Sequence, residues 1–377
     1  MRVRNPFRLG GAGNSEAPPA AAAALADTED ACAEPVDAVV AVGWGDAQPP
    51  NSAAIMATCK TQTGLNIIIL METLYITHPA CHLHEMGDWH PESPARLDAI
   101  NDQLLAGGIM GLLRAQTAIP ATDHDLLRVH GAGYLDYLKG LSPAHGYVEI
   151  DPDTLMNPHT LEAAYAAAGA GITAVDAIMR GEAQTAFCAI RPPGHHARPA
   201  QALGFCFFNN LAATVAYTLE KYGLNRIAII DFDVHHGNGT EEILAGNDKI
   251  LMCSFYQHPF FPNVHTQKCV KNMLNVPVAA YTEGEAIREL VANTWLPRLR
   301  EFKPEFVFVS AGFDAHREDD MAQLGLVEAD YAWITDRIVE LADDTAQGRI
   351  VSFLEGGYNL SALGRSAVAH IKAMAKL

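Results

Sequence analysis

The chain has 377 residues, 49% of them hydrophobic, enough to bury a substantial core in one catalytic domain. A net charge of −18, from 44 acidic against 26 basic residues, disfavours direct nucleic-acid binding, because attraction to phosphate needs a basic surface, and suits cationic ligands. Seven cysteines lack CxxC pairs, and Cys188 and Cys253 sit in apolar runs, so they read as reduced core residues of a cytoplasmic compartment and not as a disulfide framework.

Residues 1–70 differ from the rest. Residues 18–24 are Ala-rich, and the stretch to Pro50 mixes Ala, Gly, Pro and acidic residues with little periodicity, which predicts a low-complexity, disordered extension. The opening residues 1–8 are basic and acid-poor like a transit peptide, but the basic run is short and lacks Ser, which favours an extension without a targeting role; Met71 is an alternative start. No apolar run reads as long enough to span a bilayer, so no membrane association is expected.

Residues 71–377 carry the chemistry. His84-Glu85 followed by His90 imitates part of a zinc-protease motif, but the spacing is wrong, and Gly87 and Pro91 oppose the continuous helix that motif needs. His90-Pro91-Glu92-Ser93-Pro94-Ala95-Arg96 comes next, and a helical pattern covers residues 161–180. The strand Thr185–Ile190 runs into Arg191-Pro192-Pro193-Gly194-His195-His196-Ala197. Its prolines stop strand pairing and deliver two imidazoles at a strand end. Histidine titrates near neutrality, so the pair suits a general base and acid, against the plainer reading of a surface pair.

A second helical pattern spans residues 209–222, followed by the β-branched strand Arg226–Ile230 and then Asp231-Phe232-Asp233-Val234-His235-His236-Gly237-Asn238-Gly239. Asp233 and His235 stand where ligands bind in open α/β sheets, and an Asp/His donor set suits Zn²⁺. Glu305–Val309 repeats the pattern, with Asp314 either a third ligand or the cap of a following helix. After a helix over residues 328–346, the strand Arg349–Leu354 delivers Glu355-Gly356-Gly357-Tyr358, whose phenol can point at an oxyanion. Strands alternating with helices predict an α/β fold: a single open, mainly parallel, doubly wound sheet flanked by helices.

RPPGHHA, GFCFFNN, DFDVHHGNG, SAGFDAH and EGGYNL, in that order, resemble the zinc-dependent histone deacetylase superfamily. That group includes bacterial deacetylase-like amidohydrolases and acetylpolyamine amidohydrolases, and its fold is arginase-like. The likeness runs from about Glu72 to the C-terminus. RPPGHHA and Asn238 make the class II branch the nearest.

The resemblance implies that Asp233, His235 and Asp314 bind zinc. It makes His195 and His196 the active-site pair, with His196 the general base and acid and His195 its electrostatic partner steered by Asp231. Tyr358 would polarise the acetyl carbonyl. Gly204, Phe205 and Phe261 would line an acyl-lysine tunnel, Phe261 also reading as an ordinary core aromatic. A structural K⁺ or Na⁺ would take carbonyls of Asp231, Asp233, His235 and Phe255 with the Ser254 hydroxyl. Arg96 would serve acetate release or else lie on a helix surface. The implied reaction removes acetyl groups from N-acetyl-lysine in proteins or peptides, or from acetylated polyamines, by attack of a metal-activated water. A catalytically weak acyl-lysine-binding module is the alternative. Specificity would rest on loops over residues 77–91 and 257–273.

Overall fold

The computed structural model describes residues 73–263 and 270–377, with the backbone of Ala57–Lys60 and Asn66–Ile69. Those two short segments pair as antiparallel strands, which the composition did not predict, and the rest of the expected extension over residues 1–70 lies outside the described residues. The middle of the loop over residues 257–273 lies outside them too.

Eight strands build the main sheet: β1 (Thr73–Thr77), β2 (Arg114–Thr117), β3 (Thr185–Cys188), β4 (Ile227–Asp231), β5 (Ile250–Gln257), β6 (Met273–Val278), β7 (Phe306–Ala311) and β8 (Ile350–Leu354). Their order across the sheet is β6-β5-β4-β7-β8-β3-β1-β2, and every pairing is parallel. The central strands are buried along their whole length, as their unbroken apolar runs require.

Helices α1 (Ala95–Ala106), α2 (Thr160–Met179), α3 (Asn210–Tyr222), α4 (Asn238–Leu244), α5 (Glu328–Thr345) and α6 (Leu360–Met374) flank the sheet. Helix α2 packs on α3, while α1, α5 and α6 pack together as another group. The Asn209 side chain accepts from Ala212 N and starts α3, and Asn359 does the same for α6. The α/β, doubly wound reading holds.

One expectation is corrected. Helix α2 is long and apolar enough to cross a membrane by length and composition alone. It is mostly buried inside the fold, where Gly171 leaves room for Thr214 of α3 and Phe353 of β8, so it packs as a core helix.

Candidate active site

The strands β4, β7, β8 and β3 are consecutive across the sheet and parallel, so the loops that follow them leave from one edge. Asp231 ends β4, and those four loops carry Phe232 to His236, Asp314, Glu355 to Tyr358, and His195 with His196.

Asp233, His235 and Asp314 come together as a buried group whose ligand atoms lie within 4.8 Å of one another. The His235 Nδ1 stands 3.1 Å from both Asp233 Oδ1 and Asp314 Oδ2. Backbone donors fix the carboxylates: Asp233 accepts from His235 N and Gly356 N, and Asp314 accepts from Val234 N. No helix follows β7 before Glu328, so Asp314 is not a helix cap. A Cβ at Gly312 or Gly356 would lie 2.0 Å from an oxygen of Asp233 or Asp314, so only glycine leaves room for these carboxylates.

The charges fit a cation. Burial favours neutral groups, yet the Asp233 and Asp314 carboxylates outweigh it and hold His235 up at about 10, while burial and the Asp233 charge push Asp314 up. Two buried carboxylates converge on one imidazole. A divalent ion held by this O/N/O set relieves their repulsion and lets the imidazole be neutral, and such a donor set suits Zn²⁺ with a position left open.

The tandem histidines differ in their partners. His195 Nδ1 lies 3.1 Å from Asp231 Oδ2, whereas His196 Nδ1 lies 2.8 Å from the neutral Asn238 Oδ1. Burial is outweighed at His195 by the Asp233 and Asp231 charges, which hold it up at about 10; burial and the charges of His195 and His235 push His196 well below its usual range. With Nδ1–H donated to Asn238, the Nε2 lone pair of His196 is left for a proton. Both rings are buried, not a surface pair.

Tyr358 sits half-buried above a polar network. Its amide donates to Asp319 Oδ2, its ring lies 4.9 Å from the Arg96 guanidinium, and burial holds its hydroxyl well above the usual phenol range, so it stays a donor. Arg96 is fully buried and not on a helix surface. It donates to the carbonyls of Gly357 and Glu355, at 2.6 and 2.5 Å, and to Glu92.

Phe205, at φ 68°, and Gly204, at φ 55°, turn the chain against the histidines; a Cβ at Gly204 would come within 2.6 Å of His196. The Phe205 ring is 5.8 Å from Tyr358, and the Phe261 ring is 5.1 Å from His196 and 6.0 Å from His235. Phe261 thus lies against both His196 and His235. Ser254 lies opposite Asp231 in the β4–β5 register, with its hydroxyl on Asn275.

Several residues were missed at the level of sequence. Glu355 accepts from the amides of Gly194 and His195, clamping the β3 loop to the β8 loop. Glu92 lies between the buried guanidiniums of Arg191 and Arg96. Phe260 stacks on His235 at 5.5 Å. The Glu-Gly-Gly and His-Pro-Glu triplets were the available signals for the two glutamates. The imitation zinc-protease motif comes to nothing: the helix Ala80–Leu83 ends before His84, whose ring bonds Thr160.

Residues 90–374 match the model of the histone deacetylase domain. The chain is 37% identical over 277 residues to a histone deacetylase-like amidohydrolase of Pseudomonas aeruginosa, covering 72% of this chain and 73% of that protein. It is 34% identical over 330 residues to the chloroplastic histone deacetylase 10 of Oryza sativa subsp. japonica, covering 82% and 74%. The crystal structure of the HDA15 HD domain superposes with a TM-score of 0.76 at 31% identity, covering 81% of this chain and 90% of that one.

Proposed function

This chain belongs to the histone deacetylase family, and from that premise we propose that it is a zinc-dependent amidohydrolase removing acetyl groups from N-acetyl-lysine or a related acyl-amine. The observation that carries the reading is that one sheet edge brings the His196 ring to 5.8 Å from His235 of the buried Asp233–His235–Asp314 group, with the loop that carries Tyr358 leaving from the same edge.

Zinc held by those three residues would supply Lewis acidity, polarising the amide carbonyl and acidifying a water. His196, held by Asn238 with Nε2 free, takes the water proton and returns it to the leaving amine. The Tyr358 hydroxyl donates to the developing oxyanion. His195, steered by Asp231, keeps positive charge beside the site. Phe205 and Phe261 hold the acyl-amine stem and exclude water. A structural K⁺ or Na⁺ at Asp231, Asp233, His235, Ser254 and Phe255 belongs to the same reading, as does a cytoplasmic location.

Release of acetate from acetyl-lysine peptide, acetylputrescine and longer acyl-lysine substrates by the zinc-loaded protein tests it. Saturable binding of these substrates with no acetate released from any of them would favour the binding-module alternative.

A further inference from the structure

Trp89 is a large apolar side chain left 71% exposed, yet it is held in place. Its ring lies 5.3 Å from His90, the His90 ring lies 4.7 Å from Phe205, and Phe205 meets Tyr358. Aromatic contacts therefore run without a break from Trp89 at the surface to the candidate catalytic phenol. The indole folds over Gly87, which adopts φ 109°; a Cβ there would stand 2.9 Å from Trp89 Nε1. His90 Nε2 bonds the Asp153 carbonyl, and Phe205 N donates to Thr154 Oγ1, so the segment over residues 147–156 is tied to the same rim.

The two segments tied together at His90 carry no fixed positive charge. Residues 78–95 and 142–158 contain no Lys or Arg. Glu85 and Asp88 are exposed beside Trp89, and the Tyr147 hydroxyl donates to Glu85 at 3.2 Å. An exposed indole on a segment that also exposes carboxylates suits an organic cation, which gains from the ring quadrupole and from the nearby negative charge together.

We propose that Trp89 is a specificity-determining residue of the mouth, taking a second positive charge carried by the acylated amine, so that the preferred substrates are cationic acyl-amines. This deepens the deacetylase reading and rests on it. The cation is either a basic side chain near the acetyl-lysine of a peptide or a further amine of an acetylated polyamine.

The test compares four substrates: an acetyl-lysine peptide with Arg beside the acetyl-lysine, the same peptide with Gln there, acetylspermidine, and a neutral acetylated alkylamine of equal length. Wild-type protein should prefer the charged member of a pair. Trp89→Ala should raise KM for that member by about three- to fivefold, the scale of an exposed cation–π contact, with kcat and the neutral substrates unchanged. The pair that responds identifies the source of the cation. Glu85→Gln with Asp88→Asn should lower the preference further, and added salt should mimic that change. Equal KM rises on charged and neutral members would reduce Trp89 to an apolar wall and overturn the inference, as would no rise on either. Turnover without charge preference sinks this inference alone, whereas no turnover of any substrate sinks the deacetylase reading with it.

Discussion

His196 and Asn238 are joined through the ring Nδ1 and the amide Oδ1 at 2.8 Å, so the ring proposed as the general base has an amide and not a carboxylate at its Nδ1. Its neighbour His195 has Asp231 in that place. The two rings, 4.0 Å apart between centroids, are thereby divided into one that holds charge and one that starts neutral. His196→Ala should lower turnover by roughly 10²-fold or more, as loss of a general base does, with zinc content unchanged. Turnover within a few-fold of wild type would assign the proton transfer elsewhere.

The Asp233–His235–Asp314 group should bind one zinc ion. Asp314→Ala removes a ligand, and Gly356→Ala inserts a methyl 2.0 Å from the Asp314 carboxylate, so both should lose metal measured by elemental analysis. Near-stoichiometric zinc in Asp314→Ala would remove that residue from the ligand set.

Tyr358→Phe deletes the one hydroxyl proposed to donate to the oxyanion. The expected loss is on the order of a few kcal/mol, appearing in kcat more than in KM, with metal retained. Wild-type turnover of acetyl-lysine by this variant would mean that Tyr358 does not polarise the carbonyl.

Four apolar strands ending in Asp, His, Gly and Tyr were legible because a buried parallel strand writes a continuous hydrophobic run and the polar residues begin where it stops. Leu161 to Arg180 read correctly as a helix for a comparable reason, its apolar face recurring at helical spacing. Glu355 and Glu92 stood in legible triplets, but their partners were not legible, being backbone amides and arginines up to 161 residues away, which no local pattern encodes. The membrane-competent length of α2 was masked by its alanines, individually only weakly apolar.

A chain beginning at Met71 should retain cooperative melting and turnover. It keeps the whole of β1, which pairs with β2 and β3, and it removes a stretch whose composition cannot support a packed core. Loss of cooperative melting in the shortened chain would show that residues before 71 pack on the domain.

Acid should destabilise the fold through two buried histidines that are not part of the metal group. His370 contacts Thr335 Oγ1 at 2.7 Å and Ser352 Oγ at 2.8 Å; because Thr335 already donates to the Tyr331 carbonyl, the ring gives its Nδ1–H to Thr335 and accepts from Ser352. His130 accepts the Asn209 amide at Nε2 and gives its Nδ1–H to the Arg198 carbonyl, so a second ring proton would face a donor. Burial lowers His370 to about 3 and His130 to about 4. The unfolded chain protonates both near about pH 6.5 while the folded one does not, so between that pH and the folded values the unfolded state binds more protons and stability falls as pH falls. Above about pH 7.5 neither group contributes an appreciable slope. From about pH 6.5 to 5 each should cost on the order of 2 kcal/mol. Urea midpoints measured across that interval should therefore drop in wild type and drop less steeply in His370→Gln; an equal slope in the two proteins would mean that His370 takes up its proton in the folded state.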